Sequence, residues 1–195
     1  MKKNFIFFGV LFIQIQMMAQ DKPYYYQIPE APASYTATNV AARLVDGLGF
    51  RYFWATEGLR PVDLAFKPSD SARTSLETLE HIYGLTNVLL NAVQQKPTQP
   101  SNTVEKLSFE SIRAKTLQNI QKASEILKKQ QAKLEDFDMI FERPNGSTSF
   151  PFWNLVNGPI SDALWHVGQV VTFRRSSGNP LPKGVNVLQG TKTEF

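Results

Sequence analysis

Apolar residues recur at three- and four-residue steps in four long segments of this 195-residue chain, and prolines or glycines separate the segments. In the first segment Val40, Leu44, Val45, Leu48 and Tyr52 follow that spacing, which is the period of an amphipathic helix. The chain has no run with the two-residue period of a strand that is long enough to outweigh these segments. The pattern predicts an all-α fold, a bundle of four helices.

Turn residues and N-cap residues set the expected limits of the first two helices. We expect the first helix from about residue 38 to Gly58, because glycine is common just beyond the end of a helix. The second should begin after Pro68, with Asp70 or Ser71 as its N-cap. It should stop before Pro97, in a linker that contains two prolines.

The third and fourth helices follow the same logic. The third should start near Ser108, with apolar residues on one side as far as Leu134. Residues 136–152 contain proline, Asn-Gly and serine and predict a long loop. We expect the fourth helix from about residue 152 or 159 to residue 177, where Gly178 ends it.

The first 19 residues have the layout of a secretory signal peptide. Lys2 and Lys3 form a basic start, residues 5–15 are almost wholly apolar, and the small Ala19 precedes polar residues. A membrane anchor is the alternative, but the apolar run is shorter than the roughly 20 residues that a spanning helix needs. We therefore expect cleavage after Ala19 or Gln20 and a periplasmic or secreted mature protein that is not in the membrane.

The mature chain should consist of an arm and one domain. Residues 20–36 are rich in proline and tyrosine and have no helical period, which predicts an extended arm laid across the surface of the domain. The domain then spans residues 37–195, a length that suits a single hydrophobic core.

Composition excludes several classes of function. The chain has no cysteine, so lipoprotein anchoring, disulfides and a thiol nucleophile are excluded. The formal net charge of +4 falls to +2 without Lys2 and Lys3, which leaves 19 basic and 17 acidic residues. Since the basic residues are scattered, the sequence argues against a nucleic-acid partner.

The two histidines of the chain each lie in the middle of a predicted helix, His81 in the second and His166 in the fourth. Asp162 precedes His166 by four residues, so the two side chains share a helix face, with Cβ atoms about 5–6 Å apart. One interpretation is an ordinary ion pair and a packed core histidine. The other is a metal site, because Asp162 stands among apolar residues and a buried carboxylate needs a cation or strong donors. The spacing alone leaves both open.

If the three side chains meet, they suit a divalent metal ion. Helical bundles build metal sites from side chains on facing helices. Two imidazoles and one carboxylate fill three positions of a tetrahedral ion such as Zn²⁺ and leave the fourth to water or substrate, as in catalytic sites.

Two stretches resemble a known family, and the resemblance extends over nearly the whole mature chain. They are EGLRPVDLAFKPSDSARTSLETLEHIYGL, residues 57–85, and SDALWHVGQVVTFRRSSGNPLP, residues 161–182. Both are similar to the DinB/YfiT-like family of metal-binding four-helix-bundle proteins. The resemblance implies an up-down-down-up bundle with long loops. It also implies ligands at His81, at the position of Asp162 and at His166, where the family commonly has three histidines.

The aspartate at residue 162 is a departure from that pattern. It moves the site toward the type with two histidines and one carboxylate, so zinc is expected, while nickel, iron and manganese stay open. The resemblance implies metal-dependent transfer of a small thiol to electrophiles, or hydrolase-like activity. Export argues against the first, because small thiols are cytosolic reductants. We expect a metal-dependent, hydrolase-like enzyme on a small molecule. The alternatives are a non-catalytic metal- or ligand-binding module and a thiol S-transferase. A homodimer is left open.

Other residues have both a functional and a structural interpretation. By family position Glu57 is a candidate general base, although a solvent-exposed residue at a helix end is the preferred interpretation. Gln169 follows His166 by three residues and either orients it by a hydrogen bond or is a packed polar residue. We interpret Phe53, Trp54 and Trp165 as core residues in preference to pocket walls.

Overall fold

The computed structural model describes residues 22–99 and 106–194, and these are mostly helical. The helices are α1 (Ala37–Thr56), α2 (Pro61–Ala65), α3 (Ser75–Val93), α4 (Phe109–Leu127), α5 (Phe152–Leu155) and α6 (Ser161–Ser176). The strands form two short antiparallel hairpins, β1 (Met139–Arg143) with β2 (Gly146–Phe150) and β3 (Val185–Asn186) with β4 (Thr191–Lys192). The prediction of an all-α fold is confirmed.

The expected signal peptide, residues 1–19, lies outside the described residues. Among residues 22–99 and 106–194, no helix is both long enough and apolar enough to cross a membrane.

The long helices α1, α3, α4 and α6 surround one hydrophobic core. Helix α4 packs against α1 and α3, and α6 packs against the same two helices. Each of the four contributes fully buried side chains: Leu48, Leu79, Ile82, Leu89, Ile112, Ile120, Leu127 and Val170. Because α3 and α6 are direct neighbours, side chains on their facing sides meet.

Helix α3 begins later than its expected N-cap. Thr74 caps it, and not Asp70 or Ser71, which lie in the preceding loop. The Thr74 Oγ1 accepts a hydrogen bond from the backbone N–H of Glu77 at 3.1 Å, and Glu77 Oε2 accepts one from the N–H of Thr74 at 2.7 Å. This reciprocal capping box satisfies two backbone donors at once, which a single cap does not.

The expected loop at residues 136–152 contains the β1–β2 hairpin, with Met139 opposite Phe150 and Arg143 opposite Gly146. The Pro-Asn pair between the strands forms its turn. Helix α4 stops at Leu127, so Leu134 lies in a short 3-10 turn and not on the helix. The prediction of an irregular loop was therefore wrong for most of this segment.

The expected fourth helix is a succession of three helical pieces. A π-helical segment, Val156–Ile160, joins α5 directly to α6 and contains Pro159. Proline lacks a backbone N–H and clashes with the carbonyl four residues earlier in an α-helix. The wider π turn accommodates it within a continuous helical path, and such turns are frequent at functional sites.

The N-terminal arm enters the core and does not lie only on the surface. Tyr25, within a 3-10 turn, is 2% exposed and donates a hydrogen bond to Asp46 Oδ1 at 3.2 Å. Lys128 Nζ donates to the other oxygen of this buried carboxylate at 2.6 Å. Burial, reinforced by the charge of Asp46, raises the pKa of Tyr25, so its hydroxyl stays a donor. A Cβ on Gly49 would lie 2.4 Å from the tyrosine ring, so glycine is needed where the arm docks.

The three aromatic residues expected in the core divide into two groups. Phe53 and Trp54 are buried, as predicted. Trp165 is 72% exposed, so the prediction was wrong for this residue. It lies on the outer face of α6, and the residues on either side of it, Leu164 and His166, are partly buried.

The buried carboxylate of Asp63, in α2, joins this short helix to the C-terminal end of α6. Arg60 donates to it from its backbone N–H at 2.8 Å and from its guanidinium at 2.8 and 2.9 Å. Ser177 Oγ and Asn179 Nδ2 donate at 2.6 and 2.7 Å. The Arg60 side chain is the main reason that the pKa of Asp63 lies far below its usual range. These contacts fix where α6 ends.

We expect Asp63→Asn to lower the free energy of unfolding at pH 7 by about 2 kcal/mol or more, because it weakens several hydrogen bonds to a buried charged group. Urea unfolding monitored by circular dichroism measures this change. Asp70→Asn, at an exposed aspartate, should change stability by less than about 0.5 kcal/mol.

The difference in the free energy of unfolding between wild type and Asp63→Asn should depend on pH. A carboxyl whose pKa is lower in the folded than in the unfolded state stabilises the fold above the unfolded pKa, and this contribution is lost as the pH falls. The difference between wild type and Asp63→Asn should therefore shrink below about pH 4. A difference that stays constant from pH 7 to pH 3 would contradict the assignment.

Candidate metal centre

The packing of α3 against α6 brings the three predicted ligand residues together. His81 lies on α3, and Asp162 and His166 lie on α6. One ligand atom from each lies within 4.8 Å of the other two. Their side chains are 34%, 38% and 16% exposed, respectively, so the cluster lies where solvent reaches it.

The distances within the cluster suit a common metal ion. His81 Nε2 lies 3.1 Å from Asp162 Oδ2, and His166 Nε2 lies 3.3 Å from Asp162 Oδ1. The two imidazole rings are perpendicular, with centroids 4.7 Å apart. Two ligand atoms that are each about 2.1 Å from a tetrahedral ion lie about 3.4 Å apart. The two separations to the oxygens of Asp162 are close to this value, and one ligand atom from each of the three side chains lies within 4.8 Å of the other two, so the cluster can hold a divalent metal ion.

Asp162 is more exposed than its apolar neighbours in the sequence suggest. Ile160 and Ala163 are fully buried, whereas the Asp162 side chain retains 38% of its exposure. The expectation of a carboxylate buried near the bundle interior was therefore wrong. The support for a metal site is that its candidate ligands converge from two helices. An ordinary ion pair between Asp162 and His166 does not require His81 of α3 to lie beside it.

Gln169 holds the His166 ring from the side opposite the cluster. Its Oε1 lies 2.7 Å from His166 Nδ1. Since the amide oxygen only accepts, this contact is a hydrogen bond in the tautomer whose Nδ1 carries the proton. The lone pair of Nε2 then points to Asp162 and the centre of the cluster. Such an outer hydrogen bond fixes the tautomer of a metal-binding histidine.

Glu57 lies outside the cluster. It is the C-cap residue of α1, and its side chain is 46% exposed. Arg113 Nη2 donates to its Oε2 at 2.5 Å, and Arg113 Nε donates to Thr56 Oγ1 at 2.9 Å. The structure thus assigns Glu57 to an ion pair between α1 and α4 at a helix end, and nothing in the geometry supports a role as general base.

Asp162 also lines an open cavity of about 580 Å³, which we call the α3–hairpin cavity. Its walls come from α3, from the β1–β2 hairpin and from the π-helical segment. Sequence reasoning missed it because residues 136–152 were expected to be an irregular loop; the available signal was the spacing of Met139 and Phe141 on one side of β1. Another cavity of about 560 Å³, near the start of α1, is not lined by His81, Asp162 or His166.

No family model, curated protein or solved structure matches this chain. The geometry of the cluster and of the cavity beside it is therefore the basis for a functional assignment.

We expect Gln169→Leu to weaken metal binding by about 10–100-fold, the usual cost of losing an outer-shell hydrogen bond. Competition with a chelating dye measures the affinity. Gln118→Leu, the same change on an exposed face of α4, is the matched control. Gln169→Glu should preserve most of the affinity because its carboxylate also accepts from Nδ1. Equal affinities in wild type and Gln169→Leu would mean that Gln169 is only a packed polar residue.

Proposed function

We propose that this protein binds one divalent metal ion through His81 Nε2, His166 Nε2 and the Asp162 carboxylate, and that it hydrolyses a small molecule outside the cytosol. The observation that carries the proposal is the convergence of these three ligand atoms from two helices. The resemblance to the DinB/YfiT-like bundles adds support, because the same three residues occupy that family's ligand positions.

The donor set favours zinc. Two imidazoles and one carboxylate are a common set for catalytic zinc, and the fourth tetrahedral position is left open. The same set with more open positions is used for iron, so iron, nickel and manganese belong in the same test. A divalent ion, when bound there, would act as a Lewis acid and lower the pKa of a coordinated water.

The side chains of the chain then have separate tasks. His81 and His166 present neutral nitrogen atoms, and the Gln169 amide keeps the second of these in the required tautomer. Asp162 lowers the net charge of the centre and carries two oxygens. If one oxygen binds metal, the other is free to accept a proton from the attacking water. The partial exposure of the three side chains leaves room for a substrate to approach.

The proposed reaction is the hydrolysis of an ester or amide. The oxygen of water forms a bond to the acyl carbon, and the bond from that carbon to the alcohol oxygen or amine nitrogen breaks. One proton of the water ends on the leaving alcohol or amine, by way of Asp162. The reaction needs no electron donor and no thiol co-substrate, which suits an exported protein.

Metal content is the first test. Purified mature protein, residues 20–195, should contain about one divalent ion per chain by elemental analysis. His166→Ala should reduce this to background because two ligands do not hold an ion at comparable affinity. Glu80→Ala is the matched control, since Glu80 is an exposed acid next to His81 that is not in the cluster.

Thermal unfolding gives a second readout of the same site. Metal at about 100 times its dissociation constant should add about 2.7 kcal/mol to the stability of a protein that binds it only when folded. The site proposal fails if wild type purifies without metal and if zinc, nickel, iron(II) and manganese(II) all leave its melting temperature unchanged.

Catalysis is tested with ester, amide and thiol-transfer substrates in the presence and absence of a chelator. We expect ester or amide hydrolysis that chelation abolishes and zinc restores. Asp162→Ala should reduce the rate of hydrolysis by more than the roughly 10–100-fold that is lost when an outer-shell residue is removed. One metal per chain without turnover of any substrate would assign the protein as a binding module. Turnover confined to thiol transfer would assign it as an S-transferase.

A further inference from the structure

The α3–hairpin cavity has an apolar wall next to Asp162. Leu85 and Val88 line it from α3, one and two helical turns beyond His81. Met139, Phe141 and Phe150 line it from the hairpin. The volume of about 580 Å³ falls within the roughly 300–1,000 Å³ that is usual for small-molecule sites. A ligand with an apolar body therefore fits against this wall.

Three polar side chains also line the cavity. Arg143 at the end of β1, Asn154 of α5 and Asn157 of the π-helical segment all line it. Hydrogen bonds and ion pairs within residues 22–99 and 106–194 involve none of these three side chains. Arginine presents donors in a planar fork that matches a carboxylate or a phosphate.

The backbone that carries Arg143 is held from both sides. Strand β1 pairs with β2 along its whole length, with Arg143 opposite Gly146. On its other edge the Thr98 N–H donates to Ile140 O at 2.7 Å, and the Glu142 N–H donates to Thr98 O at 3.0 Å. Thr98 follows α3 closely, so the hairpin is tied to the end of the helix that carries His81. Rigid elements of this kind position a recognition residue well.

The charges that line the cavity are those of Arg143 and Asp162. When Asp162 binds a divalent cation, the lining carries a net positive charge. An anionic ligand is then attracted both by the guanidinium of Arg143 and by the metal centre. A neutral ligand gains less from Arg143 than an anion does, because its hydrogen bonds lack the second charge, and a cation is repelled.

From this combination we propose that the α3–hairpin cavity binds a small organic oxyanion, with its apolar body against Leu85 and Phe141 and its carboxylate or phosphate group on Arg143. This deepens the proposed function and rests on it for the position of the scissile bond, which would lie between the apolar wall and Asp162. The contact of the anion with Arg143 does not itself need the metal, which adds a second attraction.

The probe is 4-phenylbutyrate, with the uncharged 4-phenylbutyramide as its isostere, titrated calorimetrically into metal-loaded mature protein. We expect Arg143→Gln to weaken binding of the carboxylate by about tenfold or more and to leave binding of the amide within twofold. Arg73→Gln is the matched control, because Arg73 is an exposed arginine that does not line the cavity. Phe141→Ala should weaken both probes, and thermal melting confirms that each variant is folded.

A phosphonate with the same phenylalkyl body distinguishes the two oxyanions. Tighter binding of the phosphonate assigns the site to phosphate groups, and tighter binding of the carboxylate assigns it to carboxylates. The proposal is overturned if wild type binds neither anion. It is also overturned if Arg143→Gln retains wild-type affinity, or if Arg73→Gln loses as much.

The chelated protein and His166→Ala separate this inference from the metal proposal. If wild type contains no metal but binding still depends on Arg143, the metal site fails and the oxyanion site stands. If metal binds stoichiometrically and Arg143→Gln has no effect, the metal site stands and the oxyanion site fails.

Discussion

Direct packing of α3 against α6 determines whether this molecule has a site at all. His81 is on one helix, and Asp162 and His166 are on the other, so neither helix holds three ligands alone. Apolar side chains supply most of the energy that holds the helices together. The positions of the helices in the bundle also depend on polar contacts at the helix ends. The buried Arg174 near the end of α6 donates to the backbone carbonyls of Trp54 and Ala55, at the end of α1.

The carboxylates of the interior differ from that of Asp162 in how far they are exposed to solvent. Asp63 accepts hydrogen bonds from three residues and Asp46 from two, and both side chains are fully buried. These carboxylates are closed off from solvent and hydrogen-bonded within the fold, so their role is structural. Asp162 differs because it is partly exposed and contacts only the two histidines among the described residues. This contrast in exposure, more than the presence of acids and histidines, singles out the candidate site.

The spacing of apolar residues was enough to predict the long helices, but it was not enough to predict the segments between them. The three- and four-residue spacing predicted α1, α3, α4 and α6 because each buries one continuous face. The β1–β2 hairpin was not predicted because its strands are short. Its pairing also depends on tertiary contacts, among them the bridge between Thr98 and β1. The exposure of Trp165 was missed because its ring is apolar, although Ala163, Val167 and Val170 follow the α-helical period and are buried, and Trp165 lies off that face. The meeting of His81 with His166 was predictable only with an assumption about which helices face each other.

The candidate site and the cavity beside it are built from two kinds of element, long helices and a β-hairpin. The proposed metal ligands come from helices, where residues four apart are neighbours by geometry and the arrangement can be expected from the sequence. The proposed oxyanion site comes largely from the β1–β2 hairpin, whose position depends on the whole fold. Under these proposals, substitutions in the hairpin should change which molecule is bound without removing a metal ligand. Arg143 lies on the hairpin, so the identity of the ligand should be sought there and not in the helical pattern.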